Sequence, residues 1–423
     1  MSAPHVLISG AGIAGIATAL QLVRAGVRTT VVERTPGARP GGQAVDLRGA
    51  SREAAERMGL MPRIRAHQLH EKGMLYVDGR GRSYGRMPVE LFDGRGAVAD
   101  VEIARGDLNQ VLLEALAEAA QRMPGLLSLR YGDRIEALAQ DASGVEVRFA
   151  SGASERFDVV LGADGVHSAT RRLAFGSEEQ FATRLGGYAA FFTMPTPAGI
   201  EDGWFSMRIV PGAMLGIRPD RDPATSKAML TLRVDHDPAL RGDRLAQEEL
   251  IRRVLTGAGW QASSVLAAMG AAEDFYFDEL ARVDVPEIAD GRVALVGDAG
   301  YCGSPLSGMG TAMALVGAYV LAGELSDASA EEMPAALARY ARRIEPFIAD
   351  GKKIPFGSLE RAVPTSRAGT ALGRLMTRVM LSRPLHPLMK RAFAQNATDE
   401  LPLPDVSSDA VLTAGRVAAP DIG

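Results

Sequence analysis

The sequence predicts an α/β protein in which a domain built on a parallel sheet is interrupted by a mainly antiparallel sheet and followed by helices. Three observations support this class. A strand, a helix and a second strand follow one another between residues 5 and 32, as in a parallel βαβ unit. Several short strands separated by turns with Pro and Gly fill 188–234, which is typical of an antiparallel sheet. A further buried strand at 292–296 precedes a glycine-rich loop and a helix from about Thr311.

The N-terminal βαβ unit follows from short apolar runs and their glycine boundaries. His5 to Ser9 is a buried strand that ends at a glycine, and Arg28 to Val32 is a second run rich in β-branched residues. The helix between them runs from Ile13 to Ala25 and is ended by Gly26 at the usual C-terminal position. The unit spans about 30 residues, which suits two parallel strands joined by a helix.

The middle and the end of the chain carry further helix and strand patterns. Strands are predicted within 135–149 and at 157–161, and helices at 331–349 and 369–394. An amphipathic helix is predicted from Leu108 to Arg122, with an apolar face made by Leu108, Val111, Leu112, Ala115, Leu116 and Ala119. Because the α/β signals occur at the start, in the middle and near residue 292, we infer one discontinuous domain that contains an inserted sheet.

These patterns divide the chain into four parts. The discontinuous α/β domain is predicted at 1–72, 100–178 and 280–325, and the inserted substrate-binding domain at 73–99 and 179–279. A C-terminal helical segment is predicted at 326–400, and a loose tail at 401–423.

Composition and charge narrow the function classes. Hydrophobic residues make up 47% and charged residues 23% of the 423 residues, as in an ordinary globular protein. Acidic residues exceed basic ones by 51 to 47, which argues against nucleic acid as a partner. The single cysteine, Cys302, excludes an intrachain disulfide and a cysteine zinc site, so we expect a cytoplasmic protein. The uncharged run at 6–23 lacks the features of an export signal. No segment suits a transmembrane span. The histidines form no metal-binding motif.

The first functional motif is Gly10-Ala11-Gly12-Ile13-Ala14-Gly15, a G-x-G-x-x-G pattern between the first strand and the first helix. Gly10 permits the tight turn, Gly12 lets the backbone approach a pyrophosphate, and Gly15 lets the helix pack on the strand. Glu33 ends the next strand, where its carboxylate can accept both hydroxyls of a ribose. The candidate dinucleotide-binding residues are Gly10, Gly12, Ala14, Gly15, Glu33 and Arg34. The alternative is a glycine-rich turn with a surface glutamate.

Three further segments resemble the motifs of one enzyme family. Residues 158–171, with Asp164-Gly165, resemble its "DG" motif, and Arg105-Gly106-Asp107-Leu108 resembles the arginine that opens a helix near the cofactor. The third segment resembles the family's "GD" motif: it consists of Gly297-Asp298-Ala299 followed by Pro305, Gly308, Gly310 and Thr311. Together with the first motif, these segments occur in the order and spacing found in one family. From about residue 4 to residue 350 the chain resembles the class A, single-component FAD-dependent monooxygenases. The segment 41–47 looks most like the tetracycline-inactivating and polyketide-modifying hydroxylases.

The resemblance implies a fold of the p-hydroxybenzoate hydroxylase type, with a Rossmann-like FAD-binding domain. It also implies a reaction in which NADPH, or NADH, visits to reduce FAD and O2 then forms a flavin C4a-hydroperoxide that oxidises an organic substrate. No second dinucleotide fingerprint appears in the sequence, in agreement with transient NADPH binding. We expect hydroxylation of an aromatic or polyketide-like small molecule in antibiotic or secondary metabolism, and Baeyer–Villiger oxidation and epoxidation, which use the same intermediate, stay open as outcomes. Two alternatives stay open: an FAD-dependent reductase or dehydrogenase, and a non-catalytic protein that binds flavin and a metabolite.

The chemistry of these segments agrees with the FAD-binding residues that the resemblance implies. Asp298 follows a buried strand, where a carboxylate can bind ribityl hydroxyls, and the glycines of 304–310 let the backbone approach a planar ring. The helix from Thr311 directs its positive end at the flavin, which favours the negative charge of the reduced form. Beyond the first motif, the candidates at FAD are Arg105, Asp164, Asp298, Pro305, Gly308, Gly310 and Thr311. Arg39 and Asp46 are candidates at the flavin edge or the nicotinamide. Each candidate also has an alternative. Asp298 can be a turn aspartate, the glycines can form plain tight turns, and Arg105 can be a solvated arginine at a helix start. Arg39 and Asp46 can belong to a mobile surface loop.

The inserted sheet is predicted to line the substrate pocket with one of its faces. Alternation within 188–217 offers four apolar lining residues: Phe192, Phe205, Met207 and Met214. Arg208 has the opposite parity to Phe205 and Met207, so its side chain is expected to point away from them. A pocket of Phe and Met suits a large planar substrate better than a small carboxylate, although such residues can also be simply core. The C-terminal helix at 376–389 is a candidate lid.

Overall fold

The computed structural model describes residues 4–38, 41–89, 101–354, 359–386 and 402–403, and it has the mixed α/β architecture that the sequence predicts. The strands are β1 His5–Ser9, β2 Arg28–Glu33, β3 Ala44–Asp46, β4 Gln68–Leu69, β5 Gly73–Val77, β6 Ser83–Pro88, β7 Glu102–Ala104, β8 Leu127–Tyr131, β9 Ile135–Asp141, β10 Gly144–Phe149, β11 Ser154–Phe157, β12 Val159–Gly162, β13 Ala182–Pro195, β14 Trp204–Val210, β15 Ala213–Pro219, β16 Thr225–Leu232, β17 Tyr276–Val283, β18 Ala289–Asp290 and β19 Val293–Leu295. The α-helices are α1 Ile13–Arg24, α2 Gly49–Arg57, α3 Met61–Ala66, α4 Arg105–Arg122, α5 Ala169–Ala174, α6 Glu178–Phe181, α7 Arg244–Leu255, α8 Ala262–Met269, α9 Asp298–Tyr301, α10 Gly310–Leu325, α11 Met333–Gly351, α12 Leu359–Ala362 and α13 Arg367–Met380. Short 3-10 helices lie at Pro238–Leu240, Pro305–Ser307 and Arg383–Leu385.

A six-stranded sheet in the order β18-β19-β12-β1-β2-β8 forms the centre of the α/β domain. The five strands from β19 to β8 are parallel, and β18 pairs with β19 in the antiparallel sense. β12 lies between β1 and β19, so the carboxyl ends of these three strands meet at one edge. The loops with Gly10, Asp164 and Asp298 all leave this edge, which is where open α/β sheets bind their ligands.

The two faces of this sheet are covered differently, because successive side chains of a strand point to opposite sides. Val6 and Ile8 of β1 join one core with the buried side chains of α1, α4, α10 and α11. Leu7, on the other face, packs with the small antiparallel sheet β11-β10-β9. The buried residues of α4 are the six that the sequence predicts as its apolar face, so that prediction is confirmed.

A second sheet has the order β17-β13-β16-β15-β14-β5-β6 and is antiparallel except where β14 pairs with β5. Its strands come from residues 73–88 and 182–283, and β17 continues past the boundary predicted at residue 279. Helices α7 and α8 cover one face of this sheet and share a core with it. The other face carries two further apolar clusters, and Leu306, between β19 and α10, packs against one of them.

A small sheet in the order β3-β7-β4 lies where the α/β domain meets the seven-stranded sheet. Arg218 of β15 reaches this small sheet. Its Nη1 donates to the carbonyl oxygen of Ala44 at 3.2 Å, and its Nη2 donates to Glu102 at 2.9 Å. The buried guanidinium of Arg218 therefore connects the seven-stranded sheet to the α/β domain by hydrogen bonds, in addition to apolar contacts.

The C-terminal helix is shorter than the sequence predicts. The prediction of helix through 369–394 is wrong at 381–386, because the chain turns at Leu381 and enters a 3-10 helix that contains Pro384, and residues 387–394 lie outside the described residues. In the candidate lid, Leu381 packs against the cluster of Phe205 while Met376 is exposed, and residues 387–389 lie outside the described residues. Of the predicted tail only 402–403 are described, and Leu403 is buried in the α/β core. In the part of the chain that the structure describes, no helix could cross a membrane.

Candidate functional site

The three glycines of the first motif have different structural roles. Gly10 has a φ of +110°, and a Cβ there would lie 2.5 Å from the carbonyl oxygen of Ala163. A Cβ on Gly15 would lie 2.0 Å from the carbonyl oxygen of Gly10. A Cβ on Gly12 would have no heavy atom within 4 Å, and its φ of −81° suits any residue. The fold requires glycine at 10 and 15, whereas at 12 the protein itself leaves space.

That space lies at an open helix start. Gly12 is the N-cap of α1, no side chain caps the helix, and its first turn holds no acidic residue. The first backbone N–H groups of a helix have no partner within the helix, and together with the helix dipole they attract an anion. An uncapped helix start beside an open Gly12 fits a pyrophosphate.

Glu33 stands at the edge of this turn, as the sequence predicts for a ribose ligand. Its Oε2 accepts a hydrogen bond from the backbone N–H of Ala11 at 2.9 Å, and its Oε1 accepts one from the N–H of Thr35 at 2.9 Å. These bonds fix the carboxylate next to the Gly10–Gly15 turn. Arg34 has an exposed side chain. Contact of either residue with a nucleotide stays a prediction.

Asp164 is held by protein groups. Its Oδ2 accepts from the N–H and the hydroxyl of Thr170 at 2.9 and 3.0 Å, and its Oδ1 accepts from the hydroxyl of Ser168. Ser168 in turn caps α5 by accepting from the N–H of Arg171. The geometry gives Asp164 a role in shaping the start of α5, and its contact with FAD stays a prediction.

Arg171, at the end of the same motif, connects it to the Asp298 loop. Its Nη1 donates to the carbonyl oxygen of Ala299 at 2.8 Å, and its Nη2 donates to that of Val166 at 2.7 Å. The residue is 1% exposed. Sequence reasoning placed Arg171 within the motif without a role. A buried arginine shared by two loops that are 128 residues apart in sequence cannot be inferred from spacing.

Asp298 follows β19 at the start of the short helix α9. Burial raises the pKa of its carboxyl group, and the charge of Arg105 opposes this shift. A Cβ placed on Gly310, at the start of α10, would lie 3.8 Å from Asp298 Oδ1 and would meet no closer atom. The structure thus brings Asp298, Arg105 and the start of α10 together.

The loop between α9 and α10 also has an open glycine and an open helix start. Pro305 begins a 3-10 turn, and Gly308 ends it with a φ of +68°, where a Cβ would meet nothing within 4 Å. Helix α10 begins at Gly310 and Thr311 without a side-chain cap or an acidic residue in its first turn. We call Gly10–Gly15 together with Asp298–Thr311 the cofactor cradle.

The segment around residues 39–48 is only partly placed near the cradle. Arg39 lies outside the described residues. The backbone N–H of Arg105 donates to the carbonyl oxygen of Gln43 at 3.0 Å, and the side chain of Arg105 is exposed. Asp46 pairs with Arg48, and its contact with a nicotinamide or flavin edge stays a prediction.

Asp46 also borders a buried ionic cluster that sequence reasoning missed. Arg218 donates through Nε to Glu71 and through Nη2 to Glu102 at 2.9 Å, and the side chains of Glu71 and Glu102 are 0% and 1% exposed. Burial raises the pKa of Glu102 to about 10 although Arg218 opposes the shift. The three carboxylates come from β3, β7 and the segment between β4 and β5, so no local pattern connects them.

Two of the predicted pocket residues lie together, a third lies beside them and one is misplaced. Phe205 and Met207 form a cluster with Met74 and Met87, and Met214 packs against it. Phe192 lies on the opposite face, in the core covered by α7 and α8. The prediction for Phe192 is therefore corrected. Its neighbour Phe191 takes that place, because the ladder Phe191–Met229–Gly216–Met207 puts these four residues on one side.

We call the side of the seven-stranded sheet that carries Phe191, Phe205, Met207, Met214 and Met229 the substrate face. Phe191 clusters with Ala189, Leu280 and the partly buried Met214 and Met229, and Leu306 of the cradle loop packs against this group. Arg208 points to the other side, as its parity predicts, and donates to the carbonyl oxygen of Ala258 at 3.1 Å. The substrate face therefore meets the cradle directly at Leu306.

Comparison with known proteins places this geometry in a family. A family model described as FAD binding domain matches residues 4–350. An uncharacterized protein of Mycobacterium tuberculosis is 40% identical over 345 residues, which cover 81% of this chain and 90% of that protein. A flavin-dependent monooxygenase from an unknown prokaryotic organism is 35% identical over 354 residues, covering 82% of this chain and 87% of that one. The crystal structure of tetracycline destructase Tet(55) matches with a TM-score of 0.76 at 31% identity, over 95% of this chain and 99% of that chain.

Proposed function

Because the chain belongs to the family of FAD-dependent monooxygenases, we propose that it uses NADPH and O2 to hydroxylate an aromatic or polyketide-like small molecule. The observation that carries the proposal is the meeting of the cradle with the substrate face at Leu306. A ligand on the Phe and Met side chains of that face would lie beside the loop that approaches the flavin ring.

The described residues fit FAD. The Gly10–Gly15 turn and the start of α1 would hold the pyrophosphate, Glu33 a ribose, and Asp298 with the start of α10 the ribityl chain and the pyrimidine side of the ring. When bound, FAD supplies the redox chemistry, from hydride uptake to oxygen transfer. The chain's own part is to orient the two reactants and to keep the site apolar and dry, which Phe191, Met207 and Met229 favour.

The substrate class follows from the composition of the substrate face. Methionine and phenylalanine side chains offer polarizable, flat apolar contacts that suit fused rings. The solved relative is named for tetracycline, a polycyclic molecule, which supports a substrate of similar ring number. NADPH is proposed to bind transiently, since the sequence holds a single G-x-G-x-x-G motif.

The proposal is tested with purified FAD-loaded protein and a panel of hydroxylated polycyclic aromatics. We expect substrate-dependent NADPH oxidation, matched O2 uptake and a product that gains one oxygen atom from isotopically labelled O2. A product with altered hydrogen content but without the label would identify a reductase or dehydrogenase. Tight binding of a ring compound without NADPH oxidation would identify a non-catalytic binding protein.

A further inference from the structure

The outer side of helix α13 carries a row of exposed apolar side chains. Among the residues that the structure describes, eight large apolar side chains are exposed, and five of them lie on this one helix. Their exposed fractions run from 38% to 59%, and their spacing of three and four residues places them on one side of a helix. We call these five residues the apolar stripe: Leu372, Leu375, Met376, Val379 and Met380.

The opposite side of α13 is held against the seven-stranded sheet. The guanidinium of Arg374 lies over the ring of Tyr84, 5.0 Å from its centroid, and its Nη2 donates to Asp78 Oδ2 at 3.3 Å. Leu381, just after the helix, packs against the cluster of Phe205. Because these contacts fix one side of the helix, the stripe on the other side points away from the protein.

The start of α13 is fixed as well. Val363, a few residues before the helix, is buried in the apolar cluster of Phe191. The hydroxyl of Ser366 caps the helix by accepting a hydrogen bond from the backbone N–H of Gly369 at 3.0 Å. The helix is therefore formed and anchored at both ends while its apolar side is uncovered by the described residues. An exposed apolar surface of this kind marks an interaction site.

The charge of this part of the chain indicates the chemistry of the partner. From 363 to 398 the sequence holds no aspartate or glutamate, although these are 51 of the 423 residues of the chain. The same stretch holds six basic residues: Arg367, Arg374, Arg378, Arg383, Lys390 and Arg391. Two further exposed arginines, Arg80 and Arg82, lie in the turn formed around Asp78. Such a basic region, in a chain whose net charge is −4, favours an anionic partner.

A second copy of the chain suits this surface poorly. In a two-fold dimer the same surface meets itself, so the arginines around the stripe would face one another. Five partly exposed side chains on one convex helix also offer less area than the roughly 800 Å² per partner that a standard interface buries. The stripe consists of Leu, Met and Val and lacks the aromatic side chains that often anchor protein interfaces.

We propose that α13 docks the protein on the surface of an anionic lipid bilayer, with the apolar stripe at the acyl chains and the surrounding arginines at the lipid headgroups. Helices that lie in the plane of a membrane combine an apolar side with a basic polar side in this way. With 14 residues, α13 is too short to span a bilayer. The docking goes beyond the proposed function and does not depend on it.

Docking through α13 places the substrate face next to the lipid. The helix packs on β6 and β14, and Leu381 after it contacts the cluster that holds Phe205 and Met207. Large apolar ring compounds, the class proposed as substrate, leave water for an apolar medium. The docked protein therefore lies beside the phase in which such compounds accumulate.

The test uses the full-length FAD-loaded protein and sedimentation with phosphatidylcholine vesicles, either pure or containing about one third phosphatidylserine. We expect binding to the anionic vesicles and about tenfold weaker binding to the neutral ones. Leu375→Gln combined with Val379→Gln leaves the charge unchanged and should weaken binding to anionic vesicles about tenfold, because it removes apolar contact with lipid. Arg367→Gln combined with Arg378→Gln should weaken it about fivefold per arginine.

Leu245→Gln is the matched control for the loss of an exposed apolar side chain. Leu245 is 78% exposed and lies on α7, which covers the other face of the seven-stranded sheet. We expect this variant to bind both kinds of vesicle as the wild type does. A loss of binding equal to that of the stripe variant would show that the effect is not specific to α13 and would overturn the proposal.

Insertion of the stripe into lipid is measured with a thiol-linked fluorophore whose emission shifts to the blue in apolar surroundings. Met376→Cys supplies an exposed thiol, whereas Cys302, the single native cysteine, is 6% exposed. We expect a blue shift with anionic vesicles for the label at position 376 and none for a label introduced by Leu245→Cys.

Three results would overturn the docking. These are no sedimentation with anionic vesicles, sedimentation without the blue shift at position 376, and a dimer in solution that Leu375→Gln with Val379→Gln dissociates. The last result, measured by analytical ultracentrifugation, would assign the stripe to a second copy of the chain. Since NADPH oxidation and O2 uptake are measured without vesicles, failure of the docking leaves the proposed function standing.

Discussion

The cofactor cradle and the substrate face differ in how much change they can absorb. In the cradle, backbone atoms approach so closely that a single added carbon at Gly15 would lie 2.0 Å from a carbonyl oxygen. On the substrate face, Met207, Met214 and Met229 are flexible side chains that can repack around a ligand. A rigid site suits a cofactor of fixed shape, whereas flexible side chains can adapt to ligands of different shapes.

The largest effect is expected where the cradle has no room. Gly15→Ala forces a Cβ against the Gly10 carbonyl, and both residues are fixed by β1 and α1. We expect the free energy of unfolding to fall by more than about 3 kcal/mol, with little folded protein recovered. Chemical denaturation and soluble yield measure this. A stably folded Gly15→Ala protein would contradict the close approach of Gly15 to the Gly10 carbonyl.

Gly12→Ala separates cofactor binding from folding in the same turn. The added methyl group meets no protein atom but occupies the space assigned to the pyrophosphate. We expect near wild-type unfolding of the apoprotein, within about 1 kcal/mol, and at least tenfold weaker retention of FAD. Gly270→Ala, another open glycine at the end of α8, is the control that should change neither quantity. Full flavin occupancy in Gly12→Ala would show that the first motif does not contact the cofactor.

A large loss of stability is also expected at the junction between the seven-stranded sheet and the α/β domain. Arg218→Met keeps the apolar stem but leaves Glu71 and Glu102 without their cation, so we expect a loss of about 3–5 kcal/mol in the free energy of unfolding. Urea unfolding of the FAD-loaded protein measures it. An unchanged midpoint would show that apolar contacts alone hold the sheets together.

The same cluster predicts a pH dependence with a definite sign. Burial raises the pKa of Glu102 to about 10, so the folded protein holds a proton that the unfolded chain releases above 4.5. Stability from this group is therefore full below 4.5 and declines as pH rises toward 10. Glu102→Gln, which is neutral at every pH, should show a flatter stability profile from about pH 6 to about pH 9 than the wild type. If the stability profile of Glu102→Gln were as steep as that of the wild type, the proton held by the folded protein would be on a group other than Glu102.

These two regions also differ in what the sequence could predict. The structural roles of Gly10 and Gly15 follow from a turn and a helix start within six residues, so local spacing is sufficient to predict them, while the approach of a pyrophosphate to Gly12 stays a prediction. The substrate face depends on the register of β13 with β16 and of β15 with β14, and a shift of one residue exchanges Phe192 for Phe191. The same holds for Arg171 and Arg218, whose partners are brought together only by the fold.

A pair of substitutions should distinguish the two faces of the seven-stranded sheet. Phe192→Ala opens a cavity in the core under α7 and α8, and we expect a loss of about 3–5 kcal/mol with unchanged substrate KM. Phe191→Ala, on the substrate face, should lower stability less and raise KM for a polycyclic substrate. Equilibrium unfolding and steady-state kinetics on both variants measure this. The reverse pattern would show that the substrate occupies the other side of the sheet.

The smallest effect is expected at Met214, which packs against both apolar clusters of the substrate face and is only partly buried. Met214→Ala removes flexible volume that the face can partly refill, so we expect a loss of about 1 kcal/mol in the free energy of unfolding. The KM for a polycyclic substrate should rise several-fold, while that for a one-ring phenol stays unchanged, because only the larger ring system reaches across both clusters. Met214→Leu, similar in volume, should restore KM. Equal changes in KM for large and small substrates would mean that Met214 supports the sheet and does not touch the ligand.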